Sequence, residues 1–115
     1  MTTVTFFKRK DGLITGFQAE GHAGWADYGQ DIVCAAVSSL TQSVWQGLEQ
    51  VVGAKVKSRI DPEKGLLRAM LADDQPDDIM EKAQILLKTL EMALTGISND
   101  KQYSGTVRIM TRDRR

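Results

Sequence analysis

Two long stretches of the chain repeat their apolar positions every three or four residues, and five short ones alternate. From Ile32 to Val52 the residues Val33, Val37, Leu40, Val44, Leu48 and Val51 make one stripe, the mark of an amphipathic helix, and Gly53 is placed to end it. A second stripe runs through Ile79, Ala83, Leu86, Leu90, Ala93 and Ile97, widened by Leu87 and Leu94. The segment Asp73–Asp78 reads as its start, with Pro76 suited to the first helical position and the carboxylates to the positive end of the dipole. Gly96 and Asn99 read as stop signals. Thr2–Arg9 is rich in β-branched and aromatic residues, Asp11-Gly12 marks a hairpin, and Leu13–Glu20 is the returning strand. Ala54–Ile60 and Leu66–Ala72 form a second hairpin around Asp61-Pro62-Glu63-Lys64-Gly65, and Lys101–Met110 is a last strand. The order is ββαββαβ. It predicts an α+β fold, one mixed or antiparallel sheet with two helices on one face, in a single domain spanning residues 1–115. The other sheet face then calls for a second copy of the chain, with Phe7 and Val107 short of partners in a monomer. Trp45, off the main stripe, packs against the sheet or that partner.

Charge narrows the function classes. Fifteen Lys+Arg balance fifteen Asp+Glu, so no net field draws the chain to nucleic acid or to a membrane. Arg112 to Arg115 reads as a solvated basic tail. One cysteine makes no internal disulfide, which fits a reducing compartment. Met1–Thr5 leads straight into a strand pattern with no leader, and no apolar run approaches the roughly 20 residues of a membrane span. The expectation is a soluble, cytoplasmic protein.

The chemistry gathers between residues 21 and 38. The only histidine, His22, and the only cysteine, Cys34, stand at the two ends of one loop that contains Gly24, Trp25, Tyr28 and Gly29. Each residue taken singly has a plainer role: a small buried thiol, a structural imidazole. Together, at the ends of a loop able to fold back on itself, they suit a nucleophile and its base. If Asp31 is the N-cap, Cys34 is the third helical residue, where partial positive charge and free N–H groups favour a thiolate. Asp31 then has two readings, a cap alone or a cap that also orients His22, and Ser38 lies one turn beyond Cys34. The loop aromatics either pack or, with the two glycines, form a lid over a bound peptide. One His and one Cys are too few for structural zinc, and the acids of 73–78 sit where helix-start residues sit, so no metal is expected. A redox-sensing thiol and a non-catalytic binding module are the competing classes.

The string Gly21-His22-Ala23, a short loop, then Gly29-Gln30-Asp31-Ile32-Val33-Cys34-Ala35-Ala36-Val37-Ser38 resembles the signature of the ribosomal-processing cysteine protease family (Prp). The resemblance covers nearly the whole chain and shows no departure at the motif positions. It implies a homodimeric cysteine endopeptidase that removes a short N-terminal extension from a large-subunit ribosomal protein. By the motif Cys34 is the nucleophile and His22 the base, with Asp31 and Ser38 at supporting positions. No cofactor is implied, nor a nucleic-acid or membrane partner.

Overall fold

The computed structural model describes residues 1–24, 26, 27 and 31–114. Five strands form one sheet: β1 (Thr2–Lys8), β2 (Ile14–Glu20), β3 (Val56–Asp61), β4 (Leu66–Leu71) and β5 (Val107–Asp113), in the spatial order β3-β4-β2-β1-β5. All neighbours are antiparallel except β1 and β5, which pair in parallel from Thr2↔Val107 to Lys8↔Asp113. Two helices, α1 (Ile32–Gln46) and α2 (Asp77–Asn99), cover one face. The sheet is therefore mixed, and the ββαββαβ order holds.

The core lies between that face and the helices. Val4, Phe6, Phe17, Ala19, Ala69 and Leu71 are buried on the sheet side. They meet Val33, Val37 and Leu48 from the first helical stretch and Ala83, Leu87, Leu90 and Leu94 from α2. The line of deepest burial on α2 thus runs through Leu87 and Leu94, with Ile79, Leu86, Ala93 and Ile97 flanking it. Gln84 sits in this line too. Its amide accepts from the Ile14 N–H and donates to the Ile14 carbonyl, both at 2.8 Å, and so serves β2 as one more strand would.

Several details depart from the sequence reading. After α1 the chain makes a π-helical turn, Gly47–Val51, closed by the Val52 N–H on the Gly47 carbonyl at 2.9 Å. The wider turn rotates Val51 off the stripe, and it is 85% exposed. Gly96 does not stop α2, which runs on to Asn99; the burial of Leu94 and the packing of Ile97 outweigh the roughly 1 kcal/mol that glycine costs mid-helix. Pro76 is the N-cap of α2, one position before its first turn. The last strand begins at Val107, because Lys101–Tyr103 form a 3₁₀ turn whose first N–H groups the Asp100 carboxylate caps through Gln102 at 2.9 Å. That strand reaches Asp113, so Arg112 belongs to the sheet and not to a tail. Val107 is buried and Phe7 half-buried under Arg68, so neither wants for a partner within the chain.

Candidate active site

Asp31 organises the start of α1. Its backbone is extended (φ −82°, ψ 99°), and its Oδ1 accepts the Cys34 N–H at 2.9 Å, which makes it the N-cap that the spacing predicts. Oδ2 accepts the Ala26 N–H at 3.4 Å. One buried carboxylate therefore ties the first helical turn to the preceding loop. Cys34 is the third residue of the helix and half-buried. Its Sγ accepts the Ala23 N–H at 3.1 Å. The Cys34 N–H is spent on the cap, so this member of the first turn is not a free donor for a reacting oxygen.

His22 is carried by the end of β2. Gly21, with φ of 94°, turns the chain there; a Cβ at this residue would stand 2.5 Å from the Met1 carbonyl oxygen. The Gly21 N–H donates to the Lys64 carbonyl at 3.1 Å, and its own carbonyl accepts the Thr2 hydroxyl at 3.4 Å. The β3–β4 turn comes up against this peptide. Gly65 (φ 59°) has no room for a side chain: a Cβ would lie 2.8 Å from the Gly21 oxygen and 3.2 Å from His22 Cε1. The imidazole is exposed and rests against the hairpin turn.

His22 and Cys34 line the same groove, of about 830 Å³, between α1 and the β3–β4 hairpin. Among the described residues no hydrogen bond joins imidazole to thiol; the link is the Ala23 N–H, one residue on from His22, held on Sγ. Ser38 lines the groove one turn beyond Cys34, and its carbonyl accepts the Thr41 hydroxyl at 3.3 Å. Gly24 lines it too, exposed, with φ of 72° and open space around it. Trp25, Tyr28 and Gly29, the remaining members of the expected lid, lie outside the described residues. The far wall was not foreseen from sequence. Ile60, Pro62 and Gly65 of the second hairpin form it, while Trp45 joins Cys34 and Ser38 on the α1 side. The one available signal was the Pro62…Gly65 turn, which reads equally well as a bare connection.

Asp73 and Asp74, read as helix-start residues, are engaged as ion pairs. Asp74 meets Lys55 at 2.9 Å and Asp73 meets Arg114, leaving Asp77 and Asp78 for the first turn of α2. Among the described residues no helix is long and apolar enough to cross a membrane.

The family model for cysteine protease Prp matches residues 1–108. The ribosomal processing cysteine protease Prp of Bacillus subtilis (strain 168) is 26% identical over 111 residues, which cover 96% of this chain and 97% of the relative. The Staphylococcus aureus (strain Mu50) protein of the same name is 26% identical over 109 residues, 95% of this chain and 97% of its own. A crystal structure of the Staphylococcus aureus protease with a covalently linked product peptide superposes with a TM-score of 0.83 at 25% identity, covering 97% of this chain and 100% of that one. A Streptococcus mutans protein superposes with a TM-score of 0.75 at 30% identity, covering 97% and 99%. The thiol at a helix start, the histidine across its groove and the match over almost the full length agree: this chain belongs to the cysteine protease Prp family.

Proposed function

We propose that this cysteine protease removes a short N-terminal extension from a large-subunit ribosomal protein, with Cys34 as nucleophile and His22 as general base. The observation that carries the reading is the Ala23 N–H on Cys34 Sγ at 3.1 Å. It fixes the sulfur against the residue that follows His22, in a groove both side chains line. The relatives supply the substrate class: they are named for ribosomal processing, and one was crystallised with a product peptide covalently attached.

In the reaction His22 takes the Cys34 thiol proton as sulfur attacks the scissile carbonyl carbon. The tetrahedral intermediate collapses to a thioester when the imidazolium returns that proton to the departing amine. Water, deprotonated by His22, then attacks the thioester; the new N-terminus and the extension's carboxylate are the products. The Ala23 N–H is the donor placed beside the sulfur, suited to hold the thiolate first and the oxyanion afterwards. Asp31 acts through the cap, fixing the turn that carries Cys34, and Ser38 borders the groove below it. A cytoplasmic location is part of this reading, and the relatives' names, which tie them to ribosomal processing, support it.

Incubation with the extended ribosomal protein, read by mass spectrometry, tests the proposal. The wild type shortens the protein at one bond, and Cys34→Ala and His22→Ala do not. Cleavage by Cys34→Ala at the wild-type rate would overturn the assignment.

A further inference from the structure

The face of the sheet turned away from the helices is cationic. Strand alternation puts Lys57 and Arg59 of β3, Arg68 of β4, and Arg108 and Arg112 of β5 on it, all exposed. Five of the chain's fifteen cationic side chains thus share one surface. The neutral total charge conceals this segregation. Glu20 and Asp61 lie together at one end, and none of the four ion pairs among the described residues uses any of the five cations. Lys57 lies within electrostatic reach of Asp74, which Lys55 already holds.

Two features mark this as a built surface. Arg59 stands directly opposite Arg68 in the β3–β4 ladder, where like charges repel and cost stability. Arg68 is held in place: it donates to Gln18 Oε1 at 3.2 Å and lies 5.1 Å above the Phe7 ring centroid. Beside it opens a hollow of about 740 Å³ lined by Phe7, Lys57, Arg68 and Arg112 together with Asp73, Asp113 and Arg114, of which Asp73 and Arg114 pair with each other.

We propose that this face binds the sugar–phosphate backbone of RNA. Four of the five cations are arginines, whose planar fork matches phosphate oxygens two at a time. They span five strands, about 19 Å at the usual strand spacing, which suits several successive phosphates and not a single anion. Phe7 under Arg68 adds an aromatic and guanidinium platform of the kind on which bases stack. A second copy of the chain laid face to face would set five cations against five. The inference stands apart from the cleavage chemistry, because none of these side chains touches the His22–Cys34 groove as lining.

Fluorescence anisotropy with a labelled single-stranded RNA of about 12 nucleotides tests it, a length within the usual site size. Neutralising about four phosphates gives a slope near −3 in log K against log salt, so binding weakens about 50-fold between 50 and 200 mM. The double substitution Arg59→Gln with Arg112→Gln should weaken binding at least tenfold and flatten the slope by about 1.4, with peptide cleavage at the wild-type rate as proof of an intact fold. Unchanged RNA binding in that variant, or no binding by the wild type, overturns the proposal. Displacement by polyglutamate at equal phosphate and carboxylate concentration assigns the face to an acidic peptide instead. A wild-type dimer that the double substitution turns into monomer in sedimentation assigns it to a second copy.

Discussion

Gly65→Ala should damage catalysis through a residue that does no chemistry. The position has φ of 59°, so alanine there costs about 1–2 kcal/mol in backbone strain. The added Cβ would also lie 2.8 Å from the Gly21 carbonyl oxygen and 3.2 Å from His22 Cε1. Ordinary contact begins near about 3.5 Å, so the Gly21–His22 peptide or the hairpin turn must give by roughly half an ångström. Gly21 is pinned on both sides, its N–H donating to the Lys64 carbonyl and its carbonyl accepting the Thr2 hydroxyl. The imidazole, exposed on its other side, is what moves. A displacement of about 1 Å at a reacting group costs about a hundredfold; half of that gives about tenfold in kcat/KM. Gly12→Ala separates the two effects. Gly12 also has positive φ, 87°, and a Cβ there meets nothing within 4 Å. Gly12→Ala should lose a few degrees of Tm, since 1 kcal/mol is worth about 4–8 °C in a domain of this size, and Gly65→Ala at least as much. Only Gly65→Ala should lose activity, measured as kcat/KM on a peptide carrying the cleaved bond. Equal activity in the two variants would refute the claim that the hairpin turn positions His22.

Gln84→Ala should cost about 2–4 kcal/mol in urea unfolding, because it strands the buried Ile14 N–H and carbonyl that the amide now satisfies. Gly16→Ala should cost about 1–3 kcal/mol by overpacking, since its Cβ would meet the Ala69 carbonyl oxygen at 2.5 Å, and backbone cannot step aside. Asp31→Asn should keep the helix cap and most of the stability, whereas Asp31→Ala should lose about 1 kcal/mol; if Asn keeps stability but loses kcat, the carboxylate charge serves the reaction as well as the cap. The hydrogen bond from Lys55 holds the Asp74 carboxyl below its usual range, so whatever stability the pair adds is present above the unfolded carboxylate pKa and fades as pH falls through the lowered one. Lys55→Met should return the Asp74 titration toward the usual value by NMR with Tm unchanged, because both groups are solvated.

Sequence patterns located the elements because apolar periodicity reports burial directly. They failed where geometry departs from the regular helix or where a partner is distant. Val51 continues the stripe by spacing, but the π-helical turn Gly47–Val51 changes the angle per residue, and nothing in composition announces that turn. The polar run Thr111–Asp113 carries no strand signal. It is a strand because β1 offers a free edge, seven residues long, for parallel pairing. Gln84 has no local reason for its burial: its partner, Ile14, lies seventy positions away and supplies two backbone groups for its amide.

The site shows the same division more sharply. His22, Asp31 and Cys34 were legible because each has a local reason for its place: a strand end, a cap and the third position of a helix. Local reasons do not say what stands opposite. The Gly65 turn that abuts His22 is more than 40 residues from it in sequence, and the strand pairing of β2 with β4 is what brings the two together. The cationic face was hidden for a related reason. Its charges come from three strands, every second residue, and no single run shows which of its cations share a face. Only the register, with Arg59 opposite Arg68 and Arg112 beside Phe7, collects them on one side. A total charge of zero excludes a global field, but a sheet sorts its residues by parity, and the two faces of this one carry different charge. The helix-covered face holds the core against which α1 sets Cys34. The other carries the exposed cations on which the proposed RNA contact rests.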